Sequence, residues 1–222
     1  MLPLSLKPAA KGPLQVLCLG AHSDDIEIGC GGTILSLLAA GIEIDCHWVV
    51  LSSDEQREKE ARASAAAFLK GAKRSEVAVK RFRNGYFPFV GDTIKDYFEE
   101  LKAAVTPDLV FTHFRDDRHQ DHRVVSDLTW NTFRNHVVLE YEIPKYDGDL
   151  GSPNLFVPID EAHCREKIRI LQASFTTQRD KHWFDEATFR ALMRLRGMES
   201  CAPSFHAEAF YARKIVVAPS AR

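Results

Sequence analysis

The chain alternates short, almost wholly apolar runs with longer segments whose apolar residues recur every three or four positions. The short runs suit strands buried on both faces, and the periodic segments suit helices. Strands are expected at 14–19 (LQVLCL, closed by Gly20), 42–51 (IEIDCHWVVL), 77–82, 108–114 (DLVFTHF), 137–143 and 209–217. Helices are expected at 33–40 (TILSLLAA), 55–70, 93–105, 122–134, 161–175 and 185–197. Within 93–105, Ile94, Tyr97, Phe98, Leu101 and Val105 share one face, and Pro107 stops the helix. This alternation predicts an α/β, Rossmann-like, mostly parallel sheet with helices on both faces. A single domain is expected over 14–222, preceded by an N-terminal arm, 1–13. Parallel sheets bind ligands beyond the carboxyl ends of their strands. Chemistry is therefore expected just after Leu19, Leu51, Phe82 and Phe114.

Composition narrows the class. The 222 residues are 45% hydrophobic and 27% charged, with a net charge of −2, which is ordinary for a soluble globular protein. Near-neutrality argues against a general nucleic-acid binder, whose affinity comes from neutralising phosphates. Every apolar stretch stops short of the roughly 20 residues of a membrane helix, so no membrane insertion is expected. The five cysteines are odd in number and form no Cys-x-x-Cys pair. They suit a reduced, intracellular chain better than a disulfide framework. The opening residues, MLPLSLKPAAKGPLQ, lack the long apolar core of a signal peptide, and a cytoplasmic location is expected.

Two segments carry chemistry. After the first strand comes Gly20-Ala21-His22-Ser23-Asp24-Asp25, followed by Gly29-Cys30-Gly31-Gly32-Thr33. An imidazole and a carboxylate, His22 and Asp25, suit zinc or Fe(II). The neighbouring Asp24 is free to hold a water. The bland alternative is that an aspartate merely caps the next helix. The glycines do not form a phosphate-binding fingerprint. After the strand ending at Phe114 stands Arg115-Asp116-Asp117-Arg118-His119-Gln120-Asp121-His122. His122 can complete a His/Asp/His set, and three protein ligands with an open position suit a hydrolytic metal site. His119, three residues earlier, either joins the metal or faces the substrate. A hydrated loop with ion pairs is the alternative for this segment alone.

Together, His22-x-Asp24-Asp25, Gly29-x-Gly31-Gly32-Thr33 and His119-x-Asp121-His122 resemble the PIG-L/LmbE-like family of zinc-dependent N-acetylglucosamine deacetylases. The resemblance runs from Val16 to about Val217, with weaker matches at Arg57-x-x-Glu60-Ala61 and Ala207-Glu208-Ala209-Phe210. It implies His22, Asp25 and His122 as metal ligands and Asp24 as general base. His119 would stabilise the oxyanion or protonate the leaving amine, with Asp121 orienting it and favouring its imidazolium. Arg57 would contact the substrate, and His206 is a candidate lining residue. The remaining histidines, His113 among them, are expected to be ordinary core or surface residues. Ser23 and Ile26 stand where the family usually has proline and glutamate, which bears on substrate range more than on metal binding.

The expected activity is hydrolysis of the N-acetyl group of a small aminosugar, free or linked to a nucleotide, lipid or glycoside. The cofactor would be zinc, Fe(II) or another divalent ion. Related proteins often form homo-oligomers, so a second copy is a possible partner. The rival readings are a deformylase or amidase on a related aminosugar, and a non-catalytic metal- or nucleotide-binding module.

Overall fold

The computed structural model describes residues 3–5 and 12–217. Most of the arm expected over 1–13 lies outside the described residues. Five strands run parallel: β1 (Leu14–Gly20), β2 (Ile44–Val50), β3 (Arg74–Val79), β4 (Leu109–His113) and β5 (Val137–Tyr141). With β6 (Leu155–Pro158) and β7 (Ala207–Ala212) they form one seven-stranded sheet in the order β3-β2-β1-β4-β5-β7-β6. β7 is antiparallel to both neighbours, so the sheet is mostly parallel, as expected.

Strand alternation builds two cores. Val16 and Cys18 of β1 face one side, while Leu17 and Leu19 face the other. The first side is covered by α1 (Asp25–Ala39), α2 (Glu55–Phe68), α5 (Glu161–Ser174) and α6 (Glu186–Glu199). The second is covered by α3 (Gly91–Ala104) and α4 (Gln120–Thr132). Ile94, Phe98 and Leu101 are the buried residues of α3, matching its sequence periodicity.

The largest departure from expectation is at α1, which begins at Asp25 and not at Thr33. Gly29, Gly31 and Gly32 therefore lie inside a helix. Their purpose is close approach. A Cβ at Gly29 would collide with the Tyr141 ring, at Gly31 it would stand 2.6 Å from Phe68, and at Gly32 2.8 Å from the Glu208 carboxylate. Each glycine costs about 1 kcal/mol of helix propensity, and tight packing against those neighbours requires it. β6 was not expected either: it is only four residues long, and none of them is buried. The basic stretch 70–83 is largely tied to the protein's own acids and aromatic rings. Lys73 pairs with Glu43 and Arg81 with Glu58, while Arg83 lies over Tyr86. Among the described residues no helix is long and apolar enough to cross a membrane.

Candidate metal centre

β1 and β4 are adjacent and parallel, so the turns leaving their carboxyl ends meet. The first turn carries His22, Asp24 and Asp25; the second carries Asp117, His119, Asp121 and His122. Residues a hundred apart in sequence thus converge. His22 Nδ1 lies 3.2 Å from His122 Nε2, and Asp25 Oδ2 lies 3.3 Å from His22 Nδ1 and 3.6 Å from His122 Nε2. An ion with tetrahedral bonds of about 2.0–2.2 Å holds its ligand atoms roughly 3.3–3.6 Å apart. The triangle of donor atoms has the size such an ion requires, and two imidazoles with one carboxylate are suitable donors.

The outer nitrogens of both imidazoles rest on carboxylates. His122 Nδ1 donates to Asp117 Oδ2 at 2.9 Å, and His22 Nε2 donates to Asp121 Oδ2 at 3.2 Å. These bonds direct the lone pairs of His122 Nε2 and His22 Nδ1 into the triangle, the usual outer support of a metal-binding histidine. Asp117 is also held by Lys145 Nζ at 2.9 Å. Burial opposes its charge, but His122, His113 and Lys145 outweigh burial and hold its carboxyl well below the usual range.

Electrostatics sort the members of the cluster. Burial disfavours a charged His22, but Asp25, Asp121 and Asp24 outweigh it and raise its pKa to about 9. For His122, burial and then His113 act together and lower it to about 3. Asp25 is lifted by burial but pulled down further by His122, His113 and His22, ending well below the ordinary value. Asp24 is raised, chiefly by burial, against the pull of Arg57.

Asp24 sits at the N-cap position of α1 and makes no capping bond. Its Oδ1 accepts from Arg57 Nη2 at 2.8 Å, while its buried Oδ2 has no partner among the described residues. Arg57 lies in the first turn of α2, after β2, and its buried Nε is also unpartnered.

Two expectations need correction. Asp121 does not orient His119: its carboxylate accepts from Gly85 N–H at 2.6 Å and Phe87 N–H at 3.1 Å, and from His22. The link to His119 is reversed, with the Asp121 backbone N–H donating to His119 Nδ1 at 3.2 Å. His119 is accordingly a neutral imidazole with its proton on Nε2, since burial and His22 lower its pKa. His206 is not brought to the cluster. Its Nδ1 meets Ser204 O at 3.0 Å and Glu161 Oε2 at 3.4 Å.

The structure also adds residues. His113, at the end of β4, is fully buried and stacks on His122 with ring centroids 3.9 Å apart. Its Nε2 accepts from Ala21 N–H at 2.9 Å and lies 3.2 Å from Asp25 Oδ2. Tyr141, ending β5, donates to Leu19 O at 2.6 Å and braces the same corner. The one sequence signal for His113 was its place near the carboxyl end of the strand expected at 108–114.

Residues 17–133 match the PIG-L, GlcNAc-PI de-N-acetylase, family. Among solved structures, the fold is similar to the conserved protein TT1542 from Thermus thermophilus, at 21% identity and a TM-score of 0.69, covering 94% of this chain and 99% of that one. It is similar to N,N'-diacetylchitobiose deacetylase from Pyrococcus horikoshii, at 23% identity and a TM-score of 0.64, covering 88% and 82%. It is also similar to GalB, the 4-carboxy-2-hydroxymuconate hydratase of Pseudomonas putida, at 17% identity and a TM-score of 0.67, covering 94% and 100%. With its two His/Asp turns converging at the carboxyl ends of β1 and β4, the chain belongs to the PIG-L family.

Proposed function

We propose that this protein is a metal-dependent hydrolase that removes the N-acetyl group from a small aminosugar. The carrying observation is the donor triangle of His22, Asp25 and His122, sized for one tetrahedral ion and supported from outside by Asp121 and Asp117. The family description and the likeness to a chitobiose deacetylase support an aminosugar as the substrate class.

His22, Asp25 and His122 would hold a zinc-class divalent ion. Such an ion, when bound, polarises a carbonyl as a Lewis acid and lowers the pKa of water to about 7. Asp24 takes the proton from the attacking water through Oδ2, the atom without a partner. Arg57 holds Oδ1 and so aims Oδ2, and its open Nε is available to a substrate acceptor. His119, with its proton on Nε2, donates to the oxyanion that forms when water oxygen adds to the amide carbon. As the C–N bond breaks, Asp24 returns its proton to the departing amine nitrogen, leaving acetate and a free aminosugar. Asp121 positions His22, and His206 takes no part.

The test is acetate release from N-acetylglucosamine and N,N'-diacetylchitobiose by the purified protein, stripped with a chelator and reloaded in turn with zinc, Fe(II) and cobalt. Activity should vanish on stripping and return with at least one ion. His22→Ala and His122→Ala should abolish acetate release and metal retention at this His/Asp cluster. Formate from N-formyl substrates with no acetate would favour a deformylase. Water addition to an unsaturated acid, the reaction class of the hydratase with the same fold, would replace the amide reading altogether. A fully loaded protein inactive on every acetyl sugar would sink it.

A further inference from the structure

A second set of metal-binding donors stands apart from the His/Asp cluster, where α5 and β7 begin. Glu161 is the first residue of α5, and Cys164, three residues later, lies on the same helical face. His206 immediately precedes β7. One donor atom from each lies within 4.8 Å of the others. Cys164 and His206 are buried, while the Glu161 side chain is 46% exposed, so the group is open to solvent on one side.

The surroundings fix these side chains. Arg190 Nη1 holds Glu161 Oε1 at 3.0 Å, and Oε2 lies 3.4 Å from His206 Nδ1. His206 Nδ1 donates to Ser204 O at 3.0 Å, which leaves the lone pair on Nε2. The loop that delivers His206 is strained. Cys201 and Phe205 adopt φ of 53° and 63°, a region that bulky L residues avoid. The same loop presses on α6 so closely that a Cβ at Gly197 would collide with Phe205 O. Strain of this kind persists only where surrounding structure over-determines it. Here it sets the residue that presents the imidazole.

We propose that Glu161, Cys164 and His206 form a second metal site for a zinc-class divalent ion, bound through carboxylate, thiolate and imidazole with a fourth position open to water. Thiolate and imidazole select zinc or cobalt over magnesium or calcium. On binding, the Cys164 S–H bond breaks, its proton passes to solvent, and the sulfur bonds to the ion. The ion would tie the first turn of α5 to the start of β7. Two residues beyond His206, Glu208 holds the Gly32 and Thr33 amides of α1, so the tie would secure the edge against which the catalytic helix packs. With three ligands and an open side, the ion should be exchangeable. The proposal is independent of the deacetylase reading, because the first cluster contains no thiol.

Cobalt(II) titration of the stripped full-length protein tests it. A near-ultraviolet thiolate-to-cobalt charge-transfer band should appear in the wild type, in His22→Ala and in Cys201→Ser, and should be absent in Cys164→Ser. Glu161→Gln, at an exposed carboxylate, should weaken the cobalt affinity read from that band by at least about tenfold. Zinc should raise the melting temperature of His22→Ala but not of His22→Ala/Cys164→Ser. The absence of the band in the wild type, its persistence in Cys164→Ser, or an unchanged affinity in Glu161→Gln would each overturn the proposal.

Discussion

Asp24 and Glu208 are both buried carboxylates against α1, and their surroundings treat them in opposite ways. Glu208 accepts from Gly32 N–H at 2.7 Å, and from Thr33 N–H, the Thr33 hydroxyl and Lys167 Nζ, each at 2.6 Å. Both its oxygens are filled and its charge is matched. Among the described residues Asp24 has one hydrogen-bond partner, Arg57, and one unpartnered oxygen. An unsatisfied buried polar atom costs on the order of 1–3 kcal/mol. The contrast shows that burial alone does not assign a role. A saturated carboxylate joins elements, whereas an open one beside a donor triangle suits the proton-accepting role proposed for Asp24.

The largest expected effect separates the two directly. Asp24→Asn should lower acetate release by about 10²–10⁴-fold while metal content and fold persist. An active Asp24→Asn protein would erase the contrast. Glu208→Ala should do the reverse. It strands Lys167 and frees two helix amides, so denaturant unfolding should show a loss of about 3–5 kcal/mol, with turnover per folded molecule nearly unchanged. Lost activity at unaltered stability would place Glu208 in the chemistry instead.

Two smaller effects sharpen the site's side of the comparison. In the metal-free protein His22 is raised from 6.5 to about 9, so its stabilisation is complete below pH 6.5 and disappears as pH rises to about 9. His122 is lowered to about 3, so stability falls as pH drops below 6.5 and the unfolded chain takes up the proton. Urea midpoints should therefore peak near pH 6.5 and show a loss on the order of 3 kcal/mol on the alkaline side. Metal should flatten the alkaline limb by occupying the nitrogen that held the proton. A level metal-free profile from pH 6.5 to 9 would contradict the charge balance drawn around His22. The smallest change is expected from Asp117→Asn. It keeps a hydrogen-bond partner for His122 but weakens its charge support, and metal affinity in chelator competition should fall about 10–100-fold. An unaltered affinity would remove Asp117 from the support of the centre.

Both His/Asp turns were legible because each is a compact motif following an apolar run, and such runs predict parallel strands. What escaped were contacts between elements. His113 looked ordinary because its partners are Ala21, Asp25 and Tyr141, and none of them is at motif spacing from it. Asp121 looked like the partner of His119, two residues away, but the loop after β3 offers Gly85 and Phe87 amides, and their pull turns the carboxylate toward His22. The glycines after Asp25 looked like a loop because propensity counts them against a helix. Tyr141, Phe68 and Glu208 supply the packing that overrides it.

From the sequence alone came the alternation of apolar runs and periodic segments, hence the sheet class, and the two turns with their imidazoles and carboxylates. Those features depend on neighbours a few residues apart, where period and residue type suffice. Only the tertiary structure decided which nitrogen of each histidine faces the triangle, which carboxylate is saturated and which stays open, and that His206 belongs elsewhere. Those outcomes depend on donors and acceptors from strands and loops distant in the chain, and hydrogen-bond direction is set where the partners meet.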